Sequence, residues 1–264
     1  MTQMSEYPSG VFCWVDLVAH DLDAAKRWYG ELFGWTAKDA GSEGGPPYAM
    51  FYKDDKLVAG AGQMSEAMRG AGIAPMWNDY VKVDDCLATE ARAIELGGRV
   101  SIPTMQVPGA GWLCFLQDPS GANFGLWQPA EHPGAQLVNA PGSFCWNELA
   151  TRDVAGAKRF YAELLGWDYK ADPGPHGGYD TITVNGRENG GVLPMQGSAG
   201  DDEGPHWNTY FAVADADATL ATITATGGKL LFGPDDIPGV GRFAVVRDPQ
   251  GAKFVIIQLS HPPD

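Results

Sequence analysis

The sequence predicts an α+β fold in which two similar domains follow one another along the chain. The first observation is an internal duplication, since FCWVDL at 12–17 returns as FCWNEL at 144–149. The second is that two later pairs keep nearly the same offset: Trp-Asn at 77–78 and 207–208, and Asp-Pro-x-Gly at 118–121 and 248–251. A period of about 130 residues is too long for a solenoid repeat and matches a whole domain.

The duplication divides the chain into two domains, residues 8–130 and 143–262. With 264 residues and 44% hydrophobic content, we expect each domain to bury a core of its own. The segment between them, 131–142, is rich in Pro and Gly and shows little periodicity. We expect it to be a linker that runs over the surface.

Each half begins with a strand and an amphipathic helix. Residues 12–19 are rich in β-branched and aromatic side chains, which favours a strand, and Asp21 follows as a helix N-cap. Apolar residues then recur at helical spacing as far as Gly34, the residue type preferred just past a helix end. The second half repeats this pattern between Asp153 and Gly166.

The rest of each half reads as short strands interrupted by a second helix. A hairpin across Asp54-Asp55 is matched by one across Asn185-Gly186. The order βαβββ therefore occurs twice in each half. The remaining predicted strands are 48–53, 56–64, 77–83, 99–107, 112–117 and 123–128 with their repeats 179–184 and 188–195, and the second helices are 86–96 and 216–226.

Charge and composition exclude several classes of partner. The formal net charge of -15 disfavours binding to nucleic acid or to an anionic membrane surface, because both depend on Lys and Arg. The first residues resemble no signal peptide and no stretch is long and apolar enough to span a bilayer, so we expect a cytoplasmic protein. The four cysteines lack Cys-x-x-Cys spacing and are expected to be reduced.

These motifs resemble the vicinal oxygen chelate superfamily, which includes glyoxalase I, bleomycin-resistance proteins and extradiol dioxygenases. The resemblance rests on the strand, the Asp-capped helix ending in Tyr-x-x-Leu-x-Gly-Trp and the Asp-Pro-x-Gly-x-x-Phe motif, and it covers nearly the whole chain twice. It is closest to a tandem two-domain actinobacterial subgroup. It implies that the two βαβββ modules of each domain form a cupped mixed sheet with helices outside. Function does not follow from such a fold alone.

The resemblance also implies where a metal would be bound. The superfamily's ligand on the first strand falls on Trp14 and Trp146, and indole cannot ligate a metal. The ligand of the fifth strand falls near Asn78 and Asn208, and the expected Glu falls on Gly125 and Val255. We therefore expect no standard metal site and no cofactor.

The residues that replace the ligands predict an aromatic-lined cup in each half. Trp14 and Asp16 share one strand face, as do Trp146 and Glu148. An apolar wall with a few polar groups is typical of sites for small organic molecules. The predicted ligand-binding residues are Trp14, Asp16, Trp77, Asn78, Tyr80, Trp146, Trp207, Asn208 and Tyr210.

Three functions remain open at this point. The leading one is metal-independent binding of a small organic molecule. The second is an enzyme: a lyase, an isomerase, or an oxidoreductase such as a dioxygenase or hydroxylase. It would use Glu148 and His206 for acid-base catalysis, or a relocated metal held by Asp16, Glu148 and His206. The third is a structural module whose cups are filled by Trp14 and Trp146. The chain could act as a monomer or as a homodimer.

Overall fold

The computed structural model describes residues 2–41, 45–172, 178–195 and 204–261, and within them each half forms one mixed eight-stranded sheet. The first half contains β2 (Phe12–Ala19), α1 (Leu22–Phe33), β3 (Thr36–Asp39), β4 (Tyr48–Lys53), β5 (Lys56–Gln63), α2 (Glu66–Gly70), β6 (Met76–Lys82), α3 (Cys86–Glu95), β7 (Arg99–Val107), β8 (Gly111–Gln117) and β9 (Asn123–Pro129). Its strand order is β3-β4-β5-β2-β6-β9-β8-β7.

The second half repeats this arrangement. It contains β11 (Phe144–Thr151), α4 (Val154–Leu165), β12 (Asp168–Asp172), β13 (Tyr179–Val184), β14 (Arg187–Pro194), β15 (His206–Ala212), α5 (Ala216–Ala225), β16 (Lys229–Ile237), β17 (Gly241–Arg247) and β18 (Lys253–Leu259). The order β12-β13-β14-β11-β15-β18-β17-β16 matches the first sheet strand for strand. Two short strands, β1 (Thr2–Gln3) and β10 (Leu137–Val138), pair with each other. The predicted α+β class is confirmed.

The first helix of each half begins and ends where the sequence predicts. The Asp21 side chain accepts a hydrogen bond from the Ala24 amide, and Gly34 ends the helix with φ 70°. Asp153 and Gly166 do the same for α4. The hairpin turn also forms as predicted, because Asp54 and its neighbour both adopt the left-handed conformation of a tight hairpin turn.

The two halves share their hydrophobic cores, so the expectation of one core per domain was wrong. Tyr29 and Phe33 of α1 pack against Phe254 of the second half, with ring centroids 5.9 and 6.3 Å away. In the equivalent contact of the other repeat, Tyr161 of α4 packs against Phe124 of the first half, with ring centroids 5.2 Å apart. The physical reason is that the helix-facing side of each sheet is covered by helices of its own half and by the first helix of the other half.

The repeated motifs join the halves to one another. The Tyr29 hydroxyl donates to Asp248 Oδ2 at 3.0 Å, and the Tyr161 hydroxyl donates to Asp118 Oδ2 at 3.2 Å. The other oxygen of Asp118 accepts three backbone amides of its own turn. The helix motif of one half therefore binds the Asp-Pro-x-Gly turn of the other, which accounts for much of the duplicated sequence.

The segment between the halves is packed and does not run over the surface as predicted. Ala135 and Leu137 are buried, and β10 adds a strand pair with the N-terminus. The Ala135 amide donates to the Cys13 carbonyl, and the Tyr7 hydroxyl donates to the Ala135 carbonyl. The buried apolar side chains of this segment belong to the same core cluster as the first sheet, which explains why the segment packs against that sheet.

Two further findings bear on the sequence-based expectations. Cys13, Cys86, Cys114 and Cys145 are all free thiols, and the first three are buried. Among the described residues, none of the helices has the length and apolar character needed to cross a bilayer.

Candidate functional site

The first cup is the face of the first sheet that carries Trp14, Asp16, Tyr48, Asn78 and Tyr80. The Asp16 carboxylate lies at its centre, where Oδ2 accepts hydrogen bonds from the hydroxyls of Tyr48 at 3.1 Å and Tyr80 at 3.0 Å. Oδ1 accepts from Asn78 Nδ2 at 2.9 Å. Burial raises the pKa of Asp16, and these three hydrogen bonds oppose that rise.

The second cup repeats this network around a longer acid. Tyr210 donates to Glu148 Oε1 at 2.9 Å, and Trp146 Nε1 donates to the Tyr179 hydroxyl at 2.8 Å. Asn208 lies directly across the strand pair from Glu148. Burial raises the pKa of Glu148 to about 7, against the lowering effect of hydrogen bonds from Tyr210 and Tyr179. The neutral form of Glu148 is therefore far more populated at neutral pH than that of an exposed glutamate.

Glycines make room for the hairpin tyrosines that sequence reasoning missed. A Cβ atom on Gly60 would lie 2.0 Å from the Tyr48 hydroxyl, and one on Gly191 would lie 1.9 Å from the Tyr179 hydroxyl. Gly60 and Gly191 are the partners of Asp16 and Glu148 on the neighbouring strand. The signal that could have found Tyr48 and Tyr179 is that both open the equivalent hairpin of their half.

The linker closes the first cup. The His132 ring stands edge-on to Trp14 with centroids 4.5 Å apart, and the His132 carbonyl accepts from Trp127 Nε1. Trp14 is only 3% exposed. Burial lowers the pKa of His132 to about 4, so the ring that covers Trp14 is neutral at physiological pH. The first cup is thereby merged with the core of the protein.

The second cup keeps an accessible apolar wall. Trp146, Phe243 and Val245 are half-buried, and with Tyr210 they belong to a small cluster separate from the two large cores. Phe232, which is 55% exposed, lies 5.9 Å from Phe243 at the rim of this cluster. Aromatic surface next to a buried acid that can be protonated is an arrangement suited to a small organic ligand.

Two of the predicted ligand-binding residues lie elsewhere. The Trp77 indole donates to the Tyr29 hydroxyl at 3.0 Å, and the Trp207 indole donates to the Tyr161 hydroxyl at 3.1 Å. Both indoles are buried in the cores shared by the halves. The prediction failed because Trp77 precedes Asn78 on its strand, so its side chain points to the opposite face.

His206 and Glu148 are not brought together among the described contacts. His206 Nδ1 lies 2.8 Å from the Gly204 carbonyl, and Nε2 lies 2.8 Å from Lys253 Nζ. A carbonyl only accepts, so Nδ1 carries the hydrogen and Nε2 accepts from the lysine ammonium. This geometry leaves the predicted Glu148–His206 pair without support from the described contacts.

Comparison with known proteins decides the family. The sequence profile of the Glyoxalase/Bleomycin resistance protein/Dioxygenase superfamily matches residues 12–126 and 143–256. The chain belongs to this superfamily. Both matched segments coincide with the two eight-stranded sheets, so each half is one superfamily domain.

The superfamily relatives include proteins of the same length and tandem plan. CFP32 of Mycobacterium tuberculosis, which carries the provisional name of a glyoxylase, is 40% identical over 262 residues, covering 98% of each chain. DnrV of Streptomyces peucetius, named an anthracycline biosynthesis protein, is 33% identical over 97% of this chain and 96% of its own.

Solved structures share the fold at low sequence identity. A Mn(II)-bound glyoxalase from Novosphingobium aromaticivorans has a TM-score of 0.62 at 16% identity, covering 97% of this chain and 86% of its own. The 2,3-dioxygenase LapB from Pseudomonas sp. KL28 has a TM-score of 0.63 at 13% identity, covering 97% and 95%. These likenesses support the architecture alone.

The structure shows where the residues lie that the resemblance aligns with metal ligands. Trp14 and Trp146 occupy the first-strand position, Gly125 packs beneath the Tyr80 ring, and Val255 is part of the apolar wall of the second cup. Within the described part of the chain, no three His, Cys, Asp or Glu side chains are grouped as a metal site would need.

Proposed function

We propose that this protein binds a small aromatic organic molecule in the second cup, without the superfamily's standard metal. The observation that carries the proposal is the difference between the cups. Trp14 is sealed under the linker, whereas its counterpart Trp146 remains partly exposed beside the buried Glu148. The first cup then serves as core, and the second as the binding site.

The polar groups of the second cup support binding through hydrogen bonds. Trp146 donates to Tyr179, and both Tyr179 and Tyr210 hydrogen-bond Glu148. These donors hold the carboxyl in place, and its protonated form has a hydrogen to donate outward. A ligand with a carbonyl or other acceptor next to an aromatic ring matches this cup. The anthracycline biosynthesis role in the name of the relative DnrV is consistent with an aromatic ligand.

The donor chemistry of the cups supports metal independence. A divalent ion needs several lone pairs that converge on one point. In the second cup the hydroxyl hydrogens of Tyr210 and Tyr179 instead point at Glu148, and in the first cup three donors point at Asp16 in the same way. The residues present therefore fit a divalent ion poorly, and ligand binding requires no metal.

Calorimetric titration with the neutral probe 2-naphthamide, in the presence of EDTA, tests the proposal. We expect one site per chain, because one cup is accessible. Phe243→Ala should weaken binding about tenfold or more, because it removes an aromatic face of the wall. Leu113→Ala, the matched change in the first cup, should leave the affinity within about twofold. Two sites per chain, no binding at millimolar probe, or a requirement for added metal would contradict the proposal.

A second candidate function is general acid-base catalysis by Glu148. The specific observation in its favour is that the pKa of this carboxyl, raised to about 7 by burial, lies where a group can both take and return a proton at neutral pH. An acid-base lyase or isomerase reaction would use such a group on a carbon next to a carbonyl.

Proton exchange tests this second candidate. In D₂O, Glu148 would remove a C1 proton of 2-tetralone to give the enolate and return a deuteron to the same carbon. We expect accelerated C1 exchange by NMR, lost in Glu148→Gln and retained in Asp16→Asn. If the C1 hydrogens of 2-tetralone exchanged no faster with the protein than in buffer alone, the catalytic candidate would be wrong and binding would remain the proposed function.

A further inference from the structure

The two cups differ in charge along one row of residues that crosses each sheet. In the second sheet, Gly191 pairs with Glu148, which pairs with Asn208. Tyr210 pairs with Val255 in parallel, so Asn208 is level with Lys253, and Lys253 pairs with Arg247. The row therefore reads Gly191, Glu148, Asn208, Lys253, Arg247.

The corresponding row of the first sheet is neutral beyond its acid. The same pairings run from Gly60 through Asp16 and Asn78, and the last two positions are Asn123 and Gln117. The duplication has thus placed two cations in the accessible cup and two amides in the closed one. In a chain with 33 acidic and only 18 basic side chains, two neighbouring cations in one cup make a local positive region that favours an anionic ligand.

Both cations lie on the cup side of the sheet. Lys253 is two residues from Val255 on β18, and Arg247 is two residues from Val245 on β17, so each cation shares a sheet face with its valine. Both valines belong to the apolar cluster of the second cup. Lys253 and Arg247 are half-buried. Lys253 Nζ lies 2.8 Å from His206 Nε2, and His206 precedes Asn208 by two positions on β15, so the ammonium lies on the cup side of the sheet beside this row.

We propose that the ligand of the second cup is an aromatic acid. Its ring lies against Trp146 and Phe243, and its carboxylate or comparable anionic group lies at Lys253 and Arg247. This inference rests on the proposed function and names the ligand class of that site. Neighbouring strands are roughly 4.8 Å apart, so Lys253 lies roughly 10 Å along the row from Glu148, a distance that a bicyclic aromatic acid spans.

The expected preference for the anion is moderate. Lys253 and Arg247 already have interaction partners in the ligand-free protein. The ligand's anion would exchange with those partners, so the gain is smaller than for two isolated cations. Charge-assisted hydrogen bonds in a half-buried site are nevertheless stronger than hydrogen bonds to a neutral amide. We expect about a tenfold preference, which is about 1.4 kcal/mol.

Titration of 2-naphthoate and its neutral isostere 2-naphthamide, at pH 6 and low salt, tests the inference. At this pH the probe carboxylate is ionised, and the raised pKa of Glu148 favours its neutral form. We expect naphthoate to bind about tenfold more tightly. The double variant Lys253→Asn with Arg247→Gln installs the first-half residues and should remove the preference while keeping naphthamide affinity. The charge-conserving double variant, Lys253→Arg with Arg247→Lys, should retain the preference. It shows whether substitution at these two positions, apart from loss of charge, disrupts the site.

Each outcome is informative. Equal affinity of the two probes in the wild-type protein would overturn the inference and leave the proposed function standing. A preference that persists in the Asn and Gln double variant would also overturn it. Failure of both probes to bind would overturn both proposals. The reciprocal change, Asn123→Lys with Gln117→Arg, should create no site, because the linker covers the first cup.

Discussion

At the scale of single residues, buried carboxyl groups are the chemically distinctive feature of this chain. Trp14 with Asp16 and Trp146 with Glu148 could be predicted to share a strand face, because alternation along one strand is visible in the sequence. Tyr179 could not be placed against Glu148, because that contact depends on the pairing of two strands. Lys253 was missed for the same reason: its row is set by sheet register.

Glu148 should titrate near neutral pH. Burial raises its pKa to about 7, whereas exposed glutamates titrate near 4.3. In protein labelled with ¹³C at the glutamate carboxyl carbons, we expect one resonance with a midpoint about 7 that is missing from Glu148→Gln. If every glutamate resonance moved below pH 6, Glu148 would be more solvated than the structure indicates.

Asp79 should make stability fall as pH rises. This buried acid accepts hydrogen bonds from Asn147 and Thr209 of the other half, and burial raises its pKa to about 7. The native state therefore holds a proton that the unfolded chain releases near pH 3.9. The stabilisation is fully present below about pH 4 and is lost as pH rises through 7, with a ceiling of about 4 kcal/mol.

Substitution of Asp79 tests this linkage. Asp79→Asn should flatten the pH dependence of the urea unfolding free energy between pH 5 and 8, and should make the protein more stable than wild type at pH 8. Asp84→Asn, at an exposed position, is the control and should leave the slope unchanged. An unchanged slope in Asp79→Asn would show that other groups carry the pH dependence.

At the scale of elements, strands and helices with a clear apolar periodicity and flanking turn residues were predictable from the sequence. Elements without that periodicity were not. The boundaries of β2, β4 and β7 match the sequence-based expectation, because alternation and turn residues define them. The strand β3 was not located, since its four residues are all exposed and carry no apolar alternation. The linker was placed on the surface because its Pro and Gly content conceals its buried apolar positions.

Gly60 and Gly191, each on the strand that pairs in parallel with the first strand of its half, should be required for the hairpin tyrosine. Gly60→Ala places a Cβ 2.0 Å from the Tyr48 hydroxyl and should destabilise the protein by about 1 to 3 kcal/mol in urea unfolding. Gly62→Ala, on the same strand, meets Tyr48 at an ordinary 3.4 Å and should cost less than about 1 kcal/mol. Equal effects would mean that Tyr48 moves aside freely.

At the scale of the whole molecule, the duplication has produced one interlocked unit. The sequence predicted the two domains and their fold, but not that each helix motif binds the turn of the other half. The sequence cannot show this, because both halves carry the helix motif and the turn motif. A contact within one half and a contact between the halves would therefore have the same sequence. The linker then breaks the symmetry, because among the residues that the structure describes it covers Trp14 of the first cup and leaves Trp146 of the second partly exposed.

Separated halves should not fold alone. A chain cut after Ala140 should yield two fragments that form a 1:1 complex on co-expression, because Tyr29 and Tyr161 each need an acid of the other half. Light scattering and circular dichroism would measure mass and fold. A fragment that unfolds cooperatively as a monomer would contradict the shared cores.

The most direct test of the central claim is a crystal structure of the protein grown with saturating 2-naphthoate. We predict ring density between Trp146 and Phe243 in the second cup, the carboxylate near Lys253, and His132 still edge-on to Trp14 in the first cup. Density for the probe in the first cup, with the linker displaced, would contradict the claim. So would a divalent ion coordinated inside either sheet.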